Sequence, residues 1–139
     1  MNKARKIAIA GATGMVGQSF LKLLEQDFFQ DSEISLLASS NSAGKEINFR
    51  GKNHKVEDLS KFNFSDTELA LFSAGSSVAS TYAPIAVSQG CVVVDNSSCF
   101  RYEDDIPLIV PEVNSKVLDE YELPGIIANP VSYTHLTLP

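Results

Sequence analysis

Cysteine is scarce in this sequence: Cys91 and Cys99 are the only two. Two thiols build neither a disulfide framework nor a zinc-ligand set, and a reducing cytoplasmic setting is expected. Positive charge is also in short supply, with 11 Lys and Arg against 17 Asp and Glu and a formal net charge of -6. That balance argues against nucleic acid or an anionic membrane surface as a partner, because both are held by basic patches. It leaves room for an anionic small molecule, since backbone N–H groups can hold a phosphate without side-chain charge. Long apolar runs are missing too; Cys91 to Val94 is far short of the roughly 20 residues that a membrane-spanning helix needs. The basic start, Met1 to Lys6, passes straight into a strand-like run, with no apolar signal region or cleavage site. Internal repeats and low-complexity segments are absent as well.

What the sequence does contain is an ordinary globular composition, 44% apolar and 20% charged, over 139 residues. That length supports one domain with a real core. Short apolar runs alternate with helical stretches, the pattern of a parallel sheet wrapped by helices. The expected fold is therefore α/β, a Rossmann-like doubly wound, mostly parallel sheet with helices on both faces. Strands are predicted at Ile7–Ala10, Ile34–Ala38, Leu69–Phe72, Val92–Val94 and Ile126–Ala128, with a further extended piece at Leu108–Val110. From Met15 a helical period predicts a core stripe of Val16, Phe20, Leu23 and Leu24. A second stripe holds Val78, Ala79, Tyr82, Ala83 and Ala86; Pro84 inside it predicts a kink or two short helices meeting. Gly90 is a helix stop. Asn114 is suited to cap a helix carrying Val117, Leu118 and Tyr121. Residues 47–64 are mixed and polar and suggest short strands and turns.

The chemistry-bearing motif is Gly11-Ala12-Thr13-Gly14-Met15-Val16-Gly17, which follows a strand and opens a helix. Its G-x-x-G-x-x-G spacing is a variant of the dinucleotide fingerprint. The first glycine suits a tight turn, the second the approach of a pyrophosphate, and the third close packing of helix on strand. A plain strand-to-helix turn without ligand is the simpler alternative, and the flanking elements favour the dinucleotide. An NAD site would place an acid near the end of the second strand, to bind the ribose hydroxyls. The residues there are Leu37, Ala38, Ser39, Ser40, Asn41 and Ser42, while Glu33 precedes the strand and Glu46 lies beyond the loop. Hydroxyl and amide groups without a carboxylate tolerate a 2'-phosphate, so NADP (NADPH) is the cofactor expected.

The ordered set of segments is more specific than the glycine loop. It comprises residues 11–17, Leu-Ala-Ser-Ser-Asn-Ser-Ala-Gly-Lys at 37–45, Phe-Ser-Ala-Gly-Ser-Ser at 72–77, Val-Asp-Asn-Ser-Ser-Cys-Phe-Arg at 94–101, Val-Pro-Glu-Val-Asn at 110–114 and Ile-Ala-Asn-Pro at 127–130. Together these resemble the aspartate-semialdehyde dehydrogenase family from Lys6 to Pro130. The resemblance implies NADPH-dependent reductive dephosphorylation of aspartyl 4-phosphate, an acyl phosphate, in lysine, threonine and methionine synthesis. By the same resemblance Gly11, Thr13, Gly14, Met15, Val16 and Gly17 cradle the cofactor, and Ser39, Asn41 and Ser42 surround the 2'-phosphate. Asn41 stands where family members often carry Arg. Ser73, Ala74, Gly75 and Ser76 line the cofactor further on, Asn96 lies near the nicotinamide, and Arg101 receives the substrate phosphate. A guanidinium suits that last role because it grips phosphate through paired hydrogen bonds. The simpler readings are a surface ion pair of Arg101 with Glu103, Asp104 or Asp105, turn caps at Asp95 and Asn96, and loop or cap roles for Glu112 and Asn114.

The family pattern breaks after Asn129-Pro130. Family members continue with Asn-Cys, whose thiolate attacks the acyl phosphate, whereas Val131-Ser132 follows here. Ser132 at the nucleophile position leaves no catalytic residue, because an alcohol without an activating base is a poor nucleophile at neutral pH. His135 beside it lacks a legible orienting acid. Cys91 reads as core, and Cys99 sits beside the expected substrate loop, at a position where the family commonly has a noncatalytic residue. The expected organisation is an NAD(P)-binding domain at 1–130, a non-native tail at 131–139 resembling translated adapter sequence, and an absent catalytic and dimerisation domain. The complete protein is expected to be a homodimer or homotetramer. Two other readings are an N-acetyl-gamma-glutamyl-phosphate reductase domain, of shared architecture, and a noncatalytic dinucleotide-binding module.

Overall fold

The computed structural model describes residues 5–25, 31–97, 99–100, 106 and 125–128. Its strands are β1 (Lys6–Ala10), β2 (Glu33–Ala38), β3 (Glu46–Phe49), β4 (Lys52–Lys55), β5 (Glu57–Asp58), β6 (Leu69–Phe72), β7 (Val92–Asp95) and β8 (Ile126–Ala128). Two helices, α1 (Met15–Leu24) and α2 (Ser76–Ser88), are described with them. Six strands form one sheet in the order β5-β2-β1-β6-β7-β8. Every pairing within it is parallel. Successive strands run outward from β1 to one side as β2 and β5, then resume on its other side as β6, β7 and β8. This is the doubly wound arrangement, and its topological switch lies between β1 and β6.

Strand periodicity explains why both faces must be covered. In β1, Ile7 and Ile9 enter one apolar cluster with Leu21 and Leu24 of α1. Ala8 and Ala10 enter the other, with Ala79, Ala83 and Ala86 of α2. Successive side chains of a strand point to opposite faces, so a continuous apolar run is stable only between two layers. Leu36 and Leu37 of β2 divide between the same two clusters.

The α1 stripe agrees with the expected one at Leu24, which is buried, and at Phe20, which packs against the same cluster, and differs at Val16 and Leu23. Gly17, Leu21 and Leu24 are its buried positions, whereas Val16 is 41% and Leu23 53% exposed. The cause is steric: a Cβ at Gly17 would lie 2.3 Å from the Gly11 carbonyl oxygen. The helix can approach the β1 end only along its glycine edge, and i, i+4, i+7 from Gly17 are Leu21 and Leu24. The α2 region is one helix rather than two, with Pro84 inside it. Proline removes the bond to the carbonyl four residues back, but buried alanines on both sides of it, Ala79, Ala83 and Ala86, keep the two halves on the same sheet face. Gly90 ends α2 at φ +94°. Its N–H donates to Val87 O at 2.9 Å and that of Cys91 to Ala86 O at 3.0 Å, the paired bonds of a Schellman stop.

Residues 46–55 form an antiparallel hairpin, β3–β4. Arg50 and Gly51 both have positive φ at its tip, which matches the twist of flanking strands. Arg50 stays there because its guanidinium donates to Leu24 O and, at 3.2 Å, to Ser32 O. It also lies 4.7 Å from the Phe49 ring centroid. A cation on the last carbonyls of α1 is favourably placed against the helix dipole. The predicted extended piece at Leu108–Val110 and the helix after Asn114 lie outside the described residues.

The stripe assignment has a direct test in urea unfolding. Leu21→Ala should lower stability by about 2–5 kcal/mol, as for a buried leucine. Leu23→Ala should change it by no more than about 0.5 kcal/mol.

Candidate functional site

At the carboxyl ends of the parallel strands the chain leaves a cavity of about 490 Å³. It is lined by Gly11, Thr13 and Gly14 from the loop after β1, and by Ala38, Ser39 and Ser40 at the end of β2. Asp58, Leu59 and Ser60 follow β5, while Ser73, Ala74, Val78 and Tyr82 come from the β6–α2 connection and α2. In open α/β sheets this end of the strands, at the switch point, is where ligands bind.

The β1 loop is built around its backbone. Gly11 has φ +86°, and a Cβ there would lie 2.9 Å from the carbonyl carbon, carbonyl oxygen and Oγ of Ser73. Ser73 in turn donates its N–H to Ala10 O at 2.9 Å and its hydroxyl to the same oxygen at 3.1 Å. Gly11 and Ala12 N–H groups donate to Leu37 O at 2.9 and 3.1 Å. The ends of β1, β2 and β6 are thereby clamped together. Gly14 caps α1 in extended conformation, with no side-chain cap and no acid in the first helical turn. Gly75 caps α2 in the same uncapped way, also without an acid. The first N–H groups of a helix lack intrahelical acceptors and carry partial positive charge. Gly14 itself borders the cavity, and Gly75 follows directly on cavity-lining Ala74. Such a place favours an anion such as a phosphate.

Of the residues singled out from sequence, Gly11, Thr13, Gly14, Ser39, Ser73 and Ala74 come together around this cavity. Met15, Val16, Gly17, Asn41, Ser42, Gly75, Ser76 and Asn96 do not border it. Met15 is 88% exposed at the start of α1, and Gly17 is packed beneath the loop. Asn41 and Ser42 lie in the turn after β2, where Ser42 N–H donates to Ser39 O at 3.0 Å. Asn96 follows β7, and its N–H donates to Phe72 O at 2.8 Å. Asp95 is fully buried, and its carboxylate accepts from Ser97 N–H at 3.1 Å and Ser97 Oγ at 2.6 Å; it holds the turn that carries Asn96. Arg101, Ser132, Glu112 and Asn114 lie outside the described residues.

Ala38 and Ser40 belong to the segment read at the end of β2, though neither is singled out there; Asp58, Leu59, Ser60, Val78 and Tyr82 are not foreseen as cavity residues. Val78 and Tyr82 stood in the α2 stripe as core; they pack at its edge and border the cavity as well. Asp58 had no local signal, because only the pairing of β5 with β2 sets it beside Ala38. Its Oδ1 accepts from Ser60 N–H at 3.0 Å and Ser60 Oγ at 2.7 Å. Those two bonds, the side-chain one foremost, hold the Asp58 carboxyl below its ordinary pKa.

Neither cysteine is joined in a disulfide. Cys91 is buried, and burial pushes its thiol up to about 12, so it has no reactive thiolate near neutral pH. Cys99 is half-buried, and its N–H donates to Ser97 Oγ at 3.2 Å. Among the described residues no group of three His, Cys, Asp or Glu side chains gathers as a metal site. No described helix is long and apolar enough to cross a membrane.

Comparison with known proteins places this geometry in context. The family model for the semialdehyde dehydrogenase NAD-binding domain matches residues 6–121. An aspartate-semialdehyde dehydrogenase of Legionella pneumophila is 54% identical over 130 residues, covering 94% of this chain and 38% of that protein. The crystal structure of aspartate semialdehyde dehydrogenase II of Vibrio cholerae, complexed with ASA, superposes with a TM-score of 0.86 at 46% identity, over 92% of this chain and 42% of that one. The Candida albicans enzyme, solved with NADP, gives a TM-score of 0.77 at 28% identity, over 91% of this chain and 42% of that one. The chain thus spans about two fifths of the length of such relatives.

Two measurements check the local chemistry. Gly11→Ala should destabilise the chain by about 1–3 kcal/mol through overpacking and positive-φ strain, read by thermal or urea unfolding. Peptide mapping after alkylation at pH 8 should find Cys91 unmodified in the folded chain and modified in denaturant. Because the folded thiol holds its proton more tightly, its contribution to stability is complete below pH 9.0 and is lost as pH rises toward about 12.

Proposed function

The chain belongs to the semialdehyde dehydrogenase family through its NAD-binding domain, and from that premise we propose that it is the cofactor half of an NADPH-dependent aspartate-semialdehyde dehydrogenase. The observation that carries this reading is the cavity at the β1–β6 switch, floored by Gly11 and Gly14 at the uncapped start of α1. The pyrophosphate lies on the N–H groups of that helix start, where it needs no basic side chain. The first ribose extends over the end of β2, toward Ser39, with Asn41 and Ser42 in the turn beyond. Hydroxyl and amide groups there donate to a 2'-phosphate, while Met15, Val16 and Gly17 supply the opening turn of the helix. Toward the other side, Ser73 to Ser76 follow β6 and Asn96 follows β7, which leads the nicotinamide across the sheet ends. Bound there, NADPH supplies the hydride for reduction of an acyl group.

The reduced substrate is the acyl phosphate of aspartate, its phosphate received by Arg101, in the route to lysine, threonine and methionine. The nucleophile position holds Ser132, so the 139-residue chain binds cofactor but does not turn over an acyl phosphate. The complete enzyme is a homodimer or homotetramer of the cytoplasm, a setting that suits two cysteines outside any disulfide.

Fluorescence titration of the chain tests the cofactor assignment. NADPH should bind roughly tenfold more tightly than NADH, the worth of one charge-assisted bond to the 2'-phosphate. Neither should be oxidised when aspartyl phosphate is added. Equal affinities would remove the NADP assignment, and turnover would remove the inactive role given to Ser132.

A further inference from the structure

The outer half of the cavity has a chemistry that the glycine loop does not explain. Moving outward from Gly11, the β2 strand ends at Ala38, and β5, which pairs with it, ends with Asp58 opposite Ala38. Neighbouring strands are about 4.8 Å apart, so Asp58 lies two strand spacings, or about 10 Å, from the line of β1. A dinucleotide with its pyrophosphate over β1 and its ribose over β2 brings its base to β5.

The surroundings at that place suit a flat heterocycle. Leu59, Val78, Tyr82 and Ala38 give apolar and aromatic surface, and Leu59 is buried in the same cluster that α2 covers. The polar groups contributed by the β5 end are Asp58 and Ser60. Ser60 donates both its backbone N–H and its hydroxyl to Asp58 Oδ1. The hydroxyl oxygen that remains is an acceptor, and so is Oδ2, which those capping bonds do not use. The side chains of this edge therefore offer acceptors, the Ser60 hydroxyl proton being spent on Asp58. An exocyclic amine satisfies these side chains, whereas a carbonyl oxygen in the same place faces the lone pairs of the carboxylate and hydroxyl.

We propose that Asp58 is the base-reading residue of this site, accepting a hydrogen bond from the 6-amino group of adenine and so selecting adenine dinucleotides over 6-oxopurine ones. The assignment rests on the dinucleotide reading of the cavity and adds a specificity residue to it. It also separates two duties: the ribose and its phosphate belong to the serine turn after β2, and the base belongs to β5. Keeping the carboxylate one strand beyond the 2'-phosphate reduces the repulsion between them.

The test is a titration of the native chain with NADPH and with the reduced nicotinamide hypoxanthine dinucleotide phosphate, which carries an oxygen in place of the amine. NADPH should bind at least about tenfold more tightly, the effect of one hydrogen bond to a charged acceptor. Asp58→Asn keeps an Oδ1 to accept from Ser60 but replaces Oδ2 with a donor amide. It should weaken NADPH, strengthen the hypoxanthine analogue and collapse or reverse their ratio, with thermal unfolding as the control for folding. Equal affinities in the native chain would overturn the assignment, and that comparison does not depend on any variant. An unchanged ratio in a folded Asp58→Asn chain would overturn it too. So would a variant that alters only NADPH against NADH, which puts the carboxylate at the ribose. Failure of the native chain to bind either dinucleotide would overturn the cofactor reading itself, an outcome distinct from indiscriminate binding of both.

Discussion

The contact on which the rest depends is the close approach of backbone at the end of β1. Gly17 sits against the Gly11 carbonyl, and Gly11 sits against Ser73. Neither approach leaves space for a Cβ, so the turn, the seating of α1 and the placement of the β6–α2 connection are one steric problem with one solution. Because α1 must touch β1 along its glycine edge, Leu21 and Leu24 become core while Val16 and Leu23 face outward. The same contact brings the start of α1 to the cavity without a side chain in the way.

A second consequence is electrostatic. The chain carries a net charge of -6, yet its cavity opens at a helix start with no capping acid, and the next helix begins close by, also without one. Local dipoles and N–H groups decide whether an anion is welcome there, more than the distant surface charge that salt screens. A negative protein is therefore compatible with a cofactor rich in phosphate.

Elsewhere the same residue types do purely structural work. Asp95 is spent on holding the turn after β7, and Arg50 on securing the hairpin tip to the end of α1. Cys91 is a small apolar side chain whose burial suppresses its ionisation. The distinction between these and Asp58 is where they lie: Asp58 caps a short turn at the cavity edge, so one carboxylate oxygen serves the fold while the other stays outside the capping bonds.

Much of this was legible in the sequence because it depends on neighbours along the chain. Alternating apolar runs determined the strands of a two-faced parallel sheet, and the spacing of Gly11, Gly14 and Gly17 determined a tight strand–turn–helix. What required the tertiary structure was everything set by contact between distant segments. The rotation of α1 follows from a clash between a helical glycine and a loop carbonyl, which apolar periodicity cannot register. The union of α2 across Pro84 follows from alanines packed on the sheet. The presence of Asp58 at the site follows from β5 pairing beside β2 after an intervening hairpin. Local pattern dictates which elements form, because backbone geometry is local; which side chains share a cavity is decided by packing, because only packing brings remote residues within reach.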